Sequence, residues 1–97
     1  MKVLSEFTEH LQVALRKMCN MVGADPDKID FKSHNWFWQY TWTKEQEQEF
    51  IQWFADYLYN NTKARQELLH ANRKNKKYCR KAAEQFVWNY GWKERQS

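Results

Sequence analysis

The residues best suited to chemistry lie in one short run. Asn72-Arg73-Lys74-Asn75-Lys76-Lys77-Tyr78-Cys79-Arg80-Lys81 carries six cations and no acid in ten residues. Like charges packed this densely repel, which costs stability unless an anion screens them. If a helix begins at Asn75, then Lys76, Lys77, Arg80 and Lys81 decorate its first turns, where the helix dipole favours negative charge. A sequence that breaks a local rule in this way often does so at a working surface. Phosphate fits such a surface, because cationic side chains and free backbone N–H groups can both reach it. Arg73, Lys74, Lys76, Lys77, Arg80 and Lys81 are therefore the candidate nucleic-acid contacts. The competing reading is a solvated basic face that keeps an aromatic-rich chain soluble.

A second feature is the alternation of Trp36, Trp38, Tyr40 and Trp42 with Phe37, Gln39 and Thr41. Rings two residues apart share one face of an extended segment. Exposed, Trp36, Trp38 and Tyr40 would be a stacking platform for bases. Buried, they would be core, and between these readings stands a protein-binding surface, since Trp, Tyr and Arg dominate interface hot spots.

Signatures of enzymes are missing. There is no glycine-rich phosphate loop, no Gly-x-Ser-x-Gly elbow and no His-Glu-x-x-His. Glu45, Glu47 and Glu49 recur every two residues, so a helix spreads them around its surface and forms no facing carboxylate pair. His10, His34 and His70 stand far apart, away from Cys19 and Cys79 at metal-site spacing, so no metal or cofactor is expected. His10 reads as a surface or boundary residue, and both cysteines read as reduced thiols.

The elements that must position these residues follow from periodicity. Phe7, Leu11, Leu15, Met18 and Val22 form one helical face over about residues 5–21, with Ser5 as N-cap and Gly23 as the left-handed stop. Asp25 caps a short turn with Pro26 in its first position. Residues 36–42 then read as extended: a hairpin with the Ile29–Lys32 stretch, an aromatic linker over the helices, or a strand pairing with a second copy. Thr43 and Gln46 form a capping box for a second helix, whose stripe is Phe50, Ile51, Trp53, Phe54, Tyr57 and Leu58. Asn60-Asn61 ends it in a left-handed turn. Thr62 caps a third helix with Ala64, Leu68, Leu69 and Ala71 inwards, and Asn75 caps a fourth with Tyr78, Cys79, Ala82, Ala83, Phe86, Val87 and Tyr90 inwards, ending at Gly91. The last two helices resemble a helix-turn-helix in outline.

Length and composition bound the whole. Ninety-seven residues with 18% aromatics, 29% charged residues and only three Gly and Pro describe one domain over 1–97, with a frayed tail at about 93–97. The expected fold is mainly α: a compact bundle of three to four helices, with a short extended aromatic segment, a small β element, between helices one and two. The net charge of +4 conceals its distribution. Residues 1–32 are neutral, residues 43–56 carry −3, and residues 63–81 carry +7. No window is apolar enough for a membrane span, and the N-terminus lacks a signal peptide's apolar core. The expected location is cytoplasmic.

Phe86-Val87-Trp88-Asn89-Tyr90-Gly91-Trp92-Lys93, together with Tyr40–Gln46 and the Phe50–Leu58 helix, resembles small uncharacterised proteins of tailed bacteriophages. The resemblance covers about the last sixty residues and transfers no catalytic or binding residue. It implies a setting, the cytoplasm of an infected bacterium, and a mode of action, binding a host macromolecule. The reading is a non-enzymatic binding protein, with nucleic acid as the leading partner. The alternative is a protein-interaction module or inhibitor of a host factor that meets an acidic protein, and surplus rings leave a homodimer open.

Overall fold

In the computed structural model, the residues described are 3–32, 42–70 and 74–89. They form four α-helices: α1 (Glu9–Val22), α2 (Lys44–Asn60), α3 (Thr62–Leu69) and α4 (Lys76–Val87). Short 3-10 turns at Leu4–Glu6 and Pro26–Lys28 precede and follow α1. The mainly α expectation holds, and no strand occurs among the described residues. Ile29–Lys32 is loop and turn, so it is no hairpin partner. Trp36, Trp38 and Tyr40 lie outside the described residues. Trp42, at the end of that run, is buried with its ring edge on Phe50, 6.2 Å between centroids.

Local chemistry sets most helix ends. Thr43 accepts the Gln46 N–H at 3.1 Å and donates its own N–H to the Gln46 side chain at 2.8 Å, the reciprocal box that starts α2. The same Gln46 amide donates to the carbonyl of Met21 at 3.0 Å, which fastens the start of α2 to the end of α1 and satisfies a terminal carbonyl there. Gly23 ends α1 at φ 77° and passes its N–H to the Cys19 carbonyl. Asp25 accepts from the Asp27 N–H at 3.0 Å, with Pro26 following it. Asn75 accepts the Tyr78 N–H at 3.0 Å and caps α4.

Three boundaries depart from expectation. Thr8, not Ser5, is the N-cap of α1, because residues 4–6 turn separately as a 3-10 helix whose Glu6 carboxylate takes the Val3 N–H at 2.7 Å. Asn61, not Thr62, caps α3, accepting from the Ala64 N–H at 3.0 Å. Asn61 is also extended at φ −128°, so α2 ends without a left-handed residue and one asparagine serves both helices. The expected Gly91 stop lies outside the described residues.

The core is a stack of rings. Phe50, fully buried, stacks on Phe86 at 5.7 Å, and Phe54 meets Phe86 edge-on at 5.0 Å. These contacts join α2 to α4, the most extensive helix pair in the fold. Leu15, Met18 and Cys19 of α1 and Ala64 of α3 close the other sides.

Among the described residues, one charged side chain, Arg65, and one histidine, His10, are inside. Arg65 is 1% exposed, its Nη1 donating to the carbonyls of Leu58 at 2.8 Å and Tyr59 at 2.6 Å, and its Nη2 to Thr62 Oγ1 at 3.0 Å. It is thus an internal clamp on the end of α2, not part of the basic face. His10 is buried as well, contrary to its surface reading. Its Nδ1 pairs with Tyr57 Oη at 2.7 Å, and its backbone N–H donates to Glu67 Oε2 at 2.9 Å, so α1, α2 and α3 converge there. Burial, then the charges of Glu9 and Glu67, raise the Tyr57 phenol above its ordinary pKa. Both cysteines are free and buried.

Candidate functional site

The six predicted cations separate into groups. Arg73 lies outside the described residues. The ammonium groups of Lys74 and Lys76 converge on the Tyr59 ring of α2, 5.5 and 5.4 Å from its centroid. Each gains a modest cation–π attraction, on the order of 0.5–1 kcal/mol at an exposed site. Beside them a concavity of about 210 Å³ lies between α2 and α4, bordered by Gln52, Asp56, Lys76 and Arg80. Arg80 is engaged: its guanidinium donates to Gln48 at 3.0 Å and pairs with Glu84 at 3.4 Å. It holds α4 against the polar edge of α2.

Lys77 and Lys81 are exposed on α4. Residues four apart share a face one helical turn along, so these two cations are neighbours on one line, and the same line continues through Glu84 to Trp88. Trp88 is 39% exposed. Tyr78, expected inwards, is 48% exposed, because the core-facing side of α4 is filled by Cys79, Ala83, Phe86 and Val87. Among the described residues, no carboxylate lies within salt-bridge distance of Lys74, Lys76, Lys77 or Lys81.

The helix-turn-helix outline does not extend to packing. α4 lies along α2 and makes little contact with α3, whereas the two helices of that motif rest on each other. The divergence of α3 and α4 opens a groove of about 420 Å³. Its floor and far wall are Leu11, Phe54, Leu58, Leu68 and Leu69. The apolar stripes that line this groove are legible in the sequence as inward faces. Only the tertiary arrangement shows that they face an opening.

Among the described residues, no group of three His, Cys, Asp or Glu side chains could hold a metal ion, and His34 lies outside them. No helix of the described residues is long and apolar enough to cross a membrane. The site is therefore described by its own side chains: a cationic arc on α4, an aromatic partner at Tyr59, and an apolar groove behind. No family model, curated protein or solved structure matches this chain.

Proposed function

We propose that this chain is a non-enzymatic binding protein that holds nucleic acid through the cationic arc of α4. The observation that carries the reading is the set of four ammonium groups, on Lys74, Lys76, Lys77 and Lys81, left without a carboxylate among the described residues, while the neighbouring Arg80 is paired with Glu84. A fold that gathers uncompensated cations on the first turns of a helix, against its dipole, gains most from a polyanion that neutralises several at once. Lys77 and Lys81 would contact successive phosphates. Trp88, exposed on the same line, would stack on a base. Sequence readout is not part of the proposal, because phosphate contacts position a duplex or strand without reading it. The resemblance to bacteriophage proteins adds a setting in the host cytoplasm.

A second reading, an acidic protein partner, is favoured by one observation. One of the cations, Lys81, stands at the rim of an apolar groove, which a nucleic acid would leave empty.

Fluorescence anisotropy with a labelled random-sequence oligonucleotide, single-stranded and duplex, at low salt tests the proposal. Binding that is weakened by Lys77→Glu with Lys81→Glu, in a protein whose melting temperature is unchanged, supports it. No binding, or binding indifferent to that double charge reversal, rejects it.

A further inference from the structure

We infer that the groove between α3 and α4 docks a single amphipathic helix of another protein, one that carries acidic residues along the edge meeting α4. The shape argues for a helix. The α4 side of the groove is formed by Tyr78, Lys81, Ala82, Gln85, Phe86 and Asn89, at successive spacings of three, one, three, one and three. That is one continuous helical stripe of twelve residues, whose eleven steps span about 16 Å at 1.5 Å per residue. An open trough three turns long with an apolar floor is the form in which grooves receive apolar residues spaced i, i+3, i+4 and i+7 on a partner helix. Compact ligands favour enclosed cavities instead.

Charge narrows the occupant. Among the described residues, Lys81 is the one charged side chain lining the groove, and no acid lines it. Lys81 has no carboxylate partner among the described residues, and Glu84 is turned towards Arg80. Gln85 and Asn89 continue the rim, joined by a hydrogen bond of 3.1 Å, and offer further polar groups. An acidic edge on the occupant would therefore meet a free cation and two amides.

A second copy of this chain does not satisfy these conditions. Presenting its own α4 would bring the exposed Lys77 and Lys81 of one copy towards the basic face of the other, like charges facing each other. Its acidic surface, at Glu45, Glu47 and Glu49 on α2, belongs to a helix whose apolar stripe is already buried in the core. The inference goes beyond nucleic-acid binding, since phosphate has no reason to enter an apolar trough.

The probe is a fluorescein-labelled alanine-rich helical peptide with leucines at i, i+4 and i+7 flanked by glutamates, beside a twin flanked by lysines. The glutamate peptide should bind about tenfold more tightly than its twin, and Lys81→Glu should reverse that order. Ala82→Arg, which fills the trough, should abolish both. Because that variant could perturb folding, chemical-shift changes in the unaltered protein are the second readout, expected at Leu11, Leu68, Leu69 and Ala82. The inference is overturned if neither peptide binds, if the two bind alike, or if the shifts fall outside the groove. It is equally overturned if binding emerges only after deletion of residues 90–97, which would assign the groove to the chain's own C-terminus.

Discussion

Replacing Arg65 by methionine should destabilise the fold by about 3 kcal/mol while leaving the cationic arc intact. The magnitude follows from its contacts. Nη1 serves the Leu58 and Tyr59 carbonyls and Nη2 serves Thr62 Oγ1, from a side chain that is itself almost without solvent. Leu58 O keeps a long bond from the Asn61 N–H at 3.4 Å, so the Tyr59 carbonyl is the group most exposed to loss. A buried acceptor left unsatisfied costs about 1–3 kcal/mol, and each hydrogen bond from a charged donor contributes about 1.5–3 kcal/mol. Relief of the buried guanidinium's desolvation offsets part of the sum, and methionine retains most of the volume. For a chain of this size, about 3 kcal/mol lowers the melting temperature by roughly 12–24 °C. Thermal unfolding followed by circular dichroism would measure it, with Lys63→Met, an exposed cation on the same helix, as a control expected within about 0.5 kcal/mol of the parent. Arg65→Lys should fall between, since an ammonium lacks the planar fork that reaches carbonyls and hydroxyl together. Equal melting temperatures for the two methionine variants would refute the clamp.

The thiols and one turn give further tests. Burial first, and then the charge of Asp25, push the Cys19 thiol up from 9.0 to about 11. The folded state thus holds this proton more tightly than the unfolded chain, so the associated stability is complete below about pH 9 and is lost as pH rises through about 11. Tyr57, raised in the same direction, adds to the loss. Urea midpoints across alkaline pH should fall, and iodoacetamide at pH near 8 should label neither cysteine until denaturant is added. Rapid labelling of the native protein would contradict the burial of both thiols. Gly23→Ala should cost about 1–2 kcal/mol by chemical denaturation, because φ 77° is strained for an L side chain while nothing lies within 4 Å of the added methyl. A neutral result would mean that the turn relaxes.

What the sequence discloses here is whatever is decided within a few residues. Thr43 with Gln46, Gly23, Asp25 with Pro26, and Asn75 act on backbone groups two to four positions away, so their roles are visible in a linear reading. Asn61 is a partial success: it ends α2 as expected, but its side chain is committed to α3, which keeps its backbone extended. Arg65 and His10 are hidden for a different reason. The carbonyls that take the Arg65 guanidinium are free only because α2 stops before α3 begins. The partner of the His10 N–H is Glu67, 57 residues away. The candidate site divides along the same line. A dense run of cations is legible in any alignment of letters, but the capture of Arg80 by α2, the convergence of Lys74 and Lys76 on Tyr59, and the groove behind Lys81 depend on how α4 lies against α2. An amphipathic stripe says which face seeks cover and not what provides it.

The central claim is that Lys74, just before α4, and Lys76, Lys77 and Lys81 on it contact phosphate, and the dependence of affinity on salt measures this most directly. Four such contacts on duplex DNA imply a log–log slope of about −3.6, which corresponds to roughly a 150-fold loss of affinity between about 50 and 200 mM salt. Changing Lys77 and Lys81 to glutamine should make the slope shallower by about 1.8. A slope near zero, or one that the double substitution leaves unchanged, would contradict the account.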